Sequence, residues 1–231
     1  MNDYGGGAAL WVRSSTLSGF AADAQITSWE NEGSGPDLEA FGNATIRRVA
    51  LAEFNGLDAA DFASGGAAGF EAALGLTAGQ ARTVMSVLKY THPTIGAGCV
   101  SVFSGSSGLA WPQQYYNLTG TYYITGDNIN GGAVNGTVAQ APTLDTVQLL
   151  TWISPAAGGS VRFRINGVEE AVTNGTRVTE AGTTFRLGGN NDAVPSQPFI
   201  GMIATHVVWN SALSQVDYEA AEAALMLEYN L

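Results

Sequence analysis

Twenty carboxylates and two histidines are the groups in this chain on which acid–base or metal chemistry would draw. Retaining glycoside hydrolysis needs two carboxyl groups roughly 5 Å apart across the bond that breaks. Glu30 and Glu32 have the spacing to share a strand face, but they stand in the Gly-rich turn "WENEGSG". Glu169 and Glu170 are adjacent, so on a strand they point to opposite faces. Asp217, Glu219 and Glu222 fall in a helical stretch. No pair meets the requirement, and no catalytic residue is assigned. His92 precedes Pro93 in a loop, and His206, between Thr205 and Val207, is expected to be a partly buried structural residue. No His/Cys group has zinc spacing, and no serine sits in a G-x-S-x-G elbow. The single cysteine, Cys99, cannot form an internal disulfide and is read as a small core hydrophobe.

Binding chemistry is better represented. Neutral glycans are gripped by an aromatic ring on the sugar face and by amides and backbone groups on the hydroxyls. The segment "AWPQQYYNLTG" supplies Trp111, Tyr115 and Tyr116 beside Gln113, Gln114 and Asn117, and Tyr122, Tyr123 and Asn128 follow. Residues 111–123 hold five aromatics, several-fold above the 10% average of the chain, which makes this the candidate ligand site. Core packing or a subunit contact competes for the same rings, although Tyr115 and Tyr116 cannot both face inward on one strand. Four N-x-T sequons, at Asn43, Asn117, Asn135 and Asn174, are expected to carry no meaning without an export signal.

The elements that must position these residues read as β. Strands are expected at 8–15, at 24–35 with its Gly-rich turn, and at 45–62 ahead of an Asn55-Gly56 turn. The Ala/Gly-rich stretch 63–81 reads as loop. Two Val-rich central strands follow at 81–90 and 98–105. Residues 106–142 are irregular, with strands at "TYYIT" and "GTVAQA", and further strands are expected at 145–154, 183–189 and 199–209. In 160–172, Val161, Phe163 and Ile165 alternate with Arg162 and Arg164 up to Asn166-Gly167, which predicts a two-residue type I′ hairpin. A helix then starts at Ser214, its N-cap, with Asp217 at the capping-box position. Val216, Ala220, Ala223, Ala224, Leu227 and Leu231 predict its buried face.

The chain has 231 residues, 45% of them hydrophobic, with no linker and no internal repeat, and reads as one domain over residues 1–231. A net charge of −11, with eight arginines and one lysine, repels phosphate, so neither nucleic acid nor membrane is an expected partner. No apolar run is long enough to span a bilayer, and "MNDYGGGAALWV" does not read as a signal peptide.

Four segments in order resemble the laminin-G-like branch of the concanavalin A-like lectin/glucanase superfamily. "LWVRSSTLSGFAADAQITSWENEGSG" is similar to its opening strand and "WxDxSG"-type turn, here with Trp29, Glu30 and Gly33. "AEFNGLDAADF" resembles its "F-x-G" segment, and "VRFRINGVEEA" its "vyvNG" hairpin. "LGGNNDAVPSQPFIGMIATHVVWNSALSQVDYEAAEAALMLEYNL" resembles the closing strand and terminal helix. The match runs from Leu10 to Leu231. It implies an all-β fold: a two-sheet antiparallel β-sandwich of jelly-roll type, the last strand beside the first, and a short C-terminal α-helix capping the sandwich.

The resemblance also implies ligands. Glucanases of the superfamily carry an E-x-D-x-x-E strand, which is missing here. Many relatives bind calcium through loop carboxylates, and "TGDNINGG" and "GGNNDA" offer Asp127 and Asp192 as calcium candidates. Asp and Asn that simply form turns explain both segments as well. The expected function is a non-catalytic binding or structural module. A lectin-like domain without an export signal or cysteine framework is reconciled by a bacteriophage virion surface component: a capsid decoration, head-fibre or tail-fibre protein. Such a protein is made in the host cytoplasm. Its partners would be other virion proteins or copies of itself, and cell-surface glycans. The alternatives are an extracellular bacterial lectin and a β-glucan-active glycoside hydrolase.

Overall fold

Short β-branched and aromatic runs broken by Gly, Asn and Asp build strands rather than helices. The computed structural model describes residues 5–43, 45–62, 68–75, 80–91, 99–105, 113–117, 122–125, 136–138, 143–156, 160–173, 184–189 and 199–231. Among them the order is β1 (Leu10–Arg13), α1 (Ser14–Leu17), β2 (Ser28–Trp29), β3 (Leu38–Gly42), β4 (Arg47–Ala50), β5 (Asp58–Asp61), β6 (Ala68–Ala72) and β7 (Arg82–Tyr90). It continues with β8 (Cys99–Gly105), β9 (Gln113–Asn117), β10 (Tyr122–Thr125), β11 (Gly136–Val138), β12 (Val147–Ser154) and β13 (Arg162–Ile165). The last elements are β14 (Val168–Glu170), β15 (Val172–Thr173), β16 (Phe185–Leu187), β17 (Gly201–Trp209) and α2 (Gln215–Tyr229).

The fold is a two-sheet antiparallel β-sandwich with a C-terminal helix. One sheet, here sheet A, runs β14-β13-β12-β7-β17-β5-β4, and β1 lies along the other half of the β17 edge that β5 occupies. The opposing sheet B runs β15-β11-β10-β9-β8-β16-β6-β3-β2. As expected, the last strand returns beside the first, with Leu10 opposite Val208 and Arg13 opposite Thr205.

Alternation along the strands divides the apolar residues between two cores. Val84, Leu88, Leu150, Trp152, Phe163 and Ile165 of sheet A meet Leu38, Phe70, Phe185 and Leu187 of sheet B between the sheets. Met85, Val87, Leu149, Ile153, Ala204 and Val207 point the other way, to a second core closed by Tyr218, Ala221, Leu225 and Tyr229 of α2. The helix therefore covers the outer face of sheet A.

Its N-terminus is built as predicted: Ser214 is the N-cap and its hydroxyl accepts the Asp217 N–H. Its buried face is not the predicted one. Tyr218, Ala221, Glu222, Leu225 and Tyr229 face the sheet, while Val216 and Leu227 are each 77% exposed and Ala220 and Ala223 are also exposed. Polar tips decide this. Glu222 receives the Arg164 guanidinium through Nε at 2.9 and 3.1 Å, and the Tyr229 hydroxyl donates to Ser14 Oγ at 3.2 Å. The guanidinium groups of Arg162 and Arg164 lie 5.2 and 5.1 Å from the Tyr218 ring centre. Satisfied in this way, the larger side chains bury more surface than alanines would.

The 160–172 hairpin forms as predicted, with Asn166 at φ 47° and Gly167 at φ 75°. Its arginine face lies under α2. The Asn55-Gly56 turn also forms, after the short 3₁₀ turn Ala52–Phe54, with φ 58° and 75°. Part of the 63–81 stretch departs from the expected loop: β6 sits inside sheet B, between β3 and β16. Its glycine serves close packing. A Cβ on Gly69 would lie 2.7 Å from the Phe41 ring and 2.8 Å from the Leu187 carbonyl oxygen. Gly69→Ala is accordingly expected to lose about 1–3 kcal/mol by overpacking, to be read from urea midpoints; an unchanged midpoint contradicts this account.

Candidate functional site

The aromatic cluster maps onto the middle of sheet B. Tyr115 and Tyr116 are on β9, Tyr122 and Tyr123 on β10, and the register sets Tyr115 opposite Tyr123 and Tyr116 opposite Tyr122. Directly opposed residues share a face of the sheet, and neighbours along a strand alternate. Two described side chains identify the faces. Val138, opposite Tyr122, is 1% exposed in the core between the sheets. From the other side, buried Leu187 is opposite Phe103, and Phe103 is opposite Gln114, two residues before Tyr116. Both routes place Tyr116 and Tyr122 on the core face. Tyr115 and Tyr123 thus occupy the outer face, away from sheet A.

The same register gives the outer face its company. Ser101, Tyr115, Tyr123, Thr137 and Thr173 form one cross-strand row, and Gln113 and Thr125 are opposed one pleat further on. Hydroxyl and amide residues thus flank two tyrosines. The bulge between Ser101 and Phe103 keeps Ser101 and Ser104 on one face. Ser104 leads to Arg186, opposite Glu71, which is opposite Glu39. There the outer face carries an ion pair, Arg186 to Glu71 at 3.0 Å, with the guanidinium 4.5 Å from the Phe41 ring centre. Glu39 is exposed, and Phe41, Glu71 and Arg186 are half-buried. The outer face of sheet B is therefore open to solvent at these strands, whereas that of sheet A lies under α2.

Trp111, Asn128 and both calcium candidates, Asp127 and Asp192, lie outside the described residues, as does His92. Among the described residues, no three His, Cys, Asp or Glu side chains gather to hold a metal. Four of the carboxylates weighed for hydrolysis, Glu32, Glu169, Asp217 and Glu222, have other roles. Glu32 and Glu228 flank Arg13 at 3.5 and 3.4 Å, tying β1 to the following turn and to α2. Hydrogen bonding and charge from Arg162 hold the Glu169 carboxyl below its ordinary pKa. Glu222 is buried against Arg164, and the Asp217 carboxylate accepts the hydroxyl of the N-cap Ser214 at 2.6 Å.

The "WENEGSG" turn is a clamp. Asn31 Oδ1 accepts the N–H groups of Trp11 and Gly33 at 2.7 and 2.8 Å, and its Nδ2 donates to the Ala9 and Pro36 carbonyls at 3.1 Å. The flanking glutamates draw attention away from this asparagine in the sequence; an Asn ahead of Gly-Ser-Gly is the signal that marks it.

His206 is fully rather than partly buried, at 0% exposure. The bulge between Ile203 and Thr205 turns it toward sheet B, where it lies opposite Ser86 with Nδ1 2.7 Å from the serine hydroxyl. Burial pushes its pKa down to about 3, so the ring is neutral. A Ser–His pair sealed between two sheets meets no substrate, and its role is structural.

No family model matches this chain, and no curated protein sequence does. Solved structures do. Domain 4 of AbnA, a GH43 extracellular arabinanase from Geobacillus stearothermophilus solved with arabinotriose, superposes with a TM-score of 0.59 at 15% identity, over 94% of this chain and 97% of that one. Trypanosoma rangeli sialidase with a covalent difluorosialic acid gives 0.62 at 12% identity, over 96% of this chain and 33% of the sialidase. The binding domain of botulinum neurotoxin DC with rat synaptotagmin II gives 0.59 at 8% identity, over 95% of this chain and 52% of that one. The likeness is one of fold. This chain spans about a third of the sialidase and half of the neurotoxin domain.

Proposed function

We propose that this chain is a non-catalytic carbohydrate-binding β-sandwich module whose ligand lies across the outer face of sheet B at β9 and β10. The carrying observation is the register that pairs Tyr115 with Tyr123 on that face, between hydroxyl and amide residues. Tyrosines at opposed register positions are suited to stacking on pyranose or furanose faces, and Gln and Thr residues at neighbouring positions to sugar hydroxyls. The acidic chain favours neutral over anionic glycans. Trp111 and Asn128, in the adjoining segments, belong to the same proposal. The fold shared with an arabinanase domain solved with arabinotriose supports it, and the laminin-G-like assignment rests on the four sequence segments.

The test is a glycan array with neutral oligosaccharides, with and without Ca²⁺. Tyr115→Ala and Tyr123→Ala are each expected to weaken binding about tenfold or more, and Tyr116→Phe and Tyr122→Phe to leave it within about twofold. Calcium dependence lost in Asp127→Asn or Asp192→Asn locates a metal. No binding by folded protein overturns the reading. Release of reducing sugar from a β-glucan replaces it with a hydrolase.

A structural subunit on the outside of a virus particle is the second reading. The apolar outer stripe of α2 favours it, because such a surface fits protein partners better than sugar. Immunogold labelling of particles against the chain tests that placement.

A further inference from the structure

The polar outer face of sheet B does not end at the tyrosines. The cross-strand row that begins with Thr125 and Gln113 continues through Ser104, which the Phe103–Gln114 pair sets beside Gln113, to Arg186, Glu71 and Glu39. It crosses β10, β9, β8, β16, β6 and β3, and each of its residues is of a hydrogen-bonding type.

At the far end of this row the side chains are fixed in place. Gly69 of β6 has no side chain, so Phe41 from β3 and Arg186 from β16 meet above it, the guanidinium carbon 4.5 Å from the ring centre. Glu71 holds the arginine there: Nε and Nη2 both reach Glu71 Oε2 at 3.0 Å, so the pair does not use Oε1. Glu39, directly opposite Glu71, is exposed. Like charges directly opposed weaken a sheet, so stability gives no reason for this pair of carboxylates. Accepting hydrogen bonds from neighbouring hydroxyls gives one.

We propose that Phe41, Arg186, Glu71 and Glu39 form a second subsite, and that the ligand is an uncharged linear oligosaccharide lying across the strands from β10 to β3. The proposal rests on the reading of Tyr115 and Tyr123 as sugar-binding residues. Strands β9 and β6 are three strand spacings apart, about 14 Å. Each residue of an extended sugar chain advances roughly 5 Å, close to one strand spacing, so about four residues are the fewest that reach both subsites. Charge selects the kind of chain. Two carboxylates and one guanidinium leave the cluster negative, in a protein of net charge −11, so acidic glycans are repelled. Arg186, already held by Glu71 and Phe41, has little side-chain freedom left to lose when a ligand arrives.

Titration calorimetry with neutral linear cello-, xylo- and arabino-oligosaccharides, from disaccharide to octasaccharide, tests the proposal. Affinity is expected to rise about tenfold or more between the disaccharide and the pentasaccharide and then to level off. Arg186→Ala and Glu71→Gln are each expected to cut that gain to about threefold or less, whereas Tyr115→Ala weakens binding at every length. Circular dichroism checks the fold of each variant, and Glu39→Gln, at an exposed position, repeats the test with the ion pair intact. Equal affinity for short and long chains, or a length gain that survives in both Arg186→Ala and Glu39→Gln, overturns the second subsite and leaves the tyrosine site standing. Tighter binding of acidic oligogalacturonates than of neutral chains overturns the assignment of an uncharged ligand. No binding at any length overturns both readings.

Discussion

Between pH 6.5 and pH 4, His206 alone is expected to cost the folded chain about 3 kcal/mol of stability. In the unfolded chain the imidazole takes a proton near pH 6.5, its ordinary value, whereas in the fold desolvation holds it neutral down to about 3. The folded-state pKa is depressed. Its contribution is therefore fully present above pH 6.5 and is lost as pH falls toward 3, because acid stabilises only the unfolded chain. The slope in that window is about 1.4 kcal/mol per pH unit. Urea unfolding of the native chain and of His206→Gln at several pH values isolates the effect, since carboxylate titrations common to both cancel in the difference. The variant should lose less stability on acidification whatever its stability at neutral pH. Parallel pH profiles for the two proteins would falsify the account.

Glu222→Ala is the second large effect. It leaves the Arg164 guanidinium beneath α2 with Glu169 Oε2 at 3.6 Å as its nearest remaining carboxylate oxygen. Removing one partner of a buried ion pair costs about 3–5 kcal/mol, because the surviving charge stays desolvated. Replacing both partners with apolar residues, as in Arg164→Met with Glu222→Leu, is expected to restore most of that loss. Thermal unfolding of the two single variants and the double variant gives the coupling. Additive single effects would show that the pair is not what fastens the helix.

What was legible in the sequence followed how local its cause was. Asn166-Gly167 specifies its turn through two positive φ angles, and Ser214 with Asp217 specifies a helix start, so both are legible without the rest of the chain. The buried face of α2 was not legible. Hydropathy turns Glu222 outward and Val216 inward, and only Arg164, fifty-eight residues earlier, reverses that order. Strand β6 was hidden for a similar reason: its glycine and alanines read as loop until Phe41 and Leu187 are seen to crowd them. Strand β9, "QQYYN", lacks the β-branched residues that mark its neighbours. In the candidate site the sequence showed that adjacent tyrosines must part. Which position lies on the outer face is set by the register to Val138 and Leu187, neither of them near the cluster in the chain.

The position of β17 has a consequence in time. It lies at the centre of sheet A, bonded to β7 on one side and to β1 and β5 on the other, yet it is the last of the described strands. As the chain leaves the ribosome, β1 and β7 wait with unpaired edges until nearly everything after them has been made, because their shared neighbour comes roughly 190 and 120 residues later. Such distant pairings must absorb the entropy of closing long loops before they gain anything from contact, and chains built this way fold in milliseconds to seconds rather than microseconds. Completion of sheet A thus waits for β17. During the delay, Val-rich β7 is the segment most open to pairing with the wrong chain.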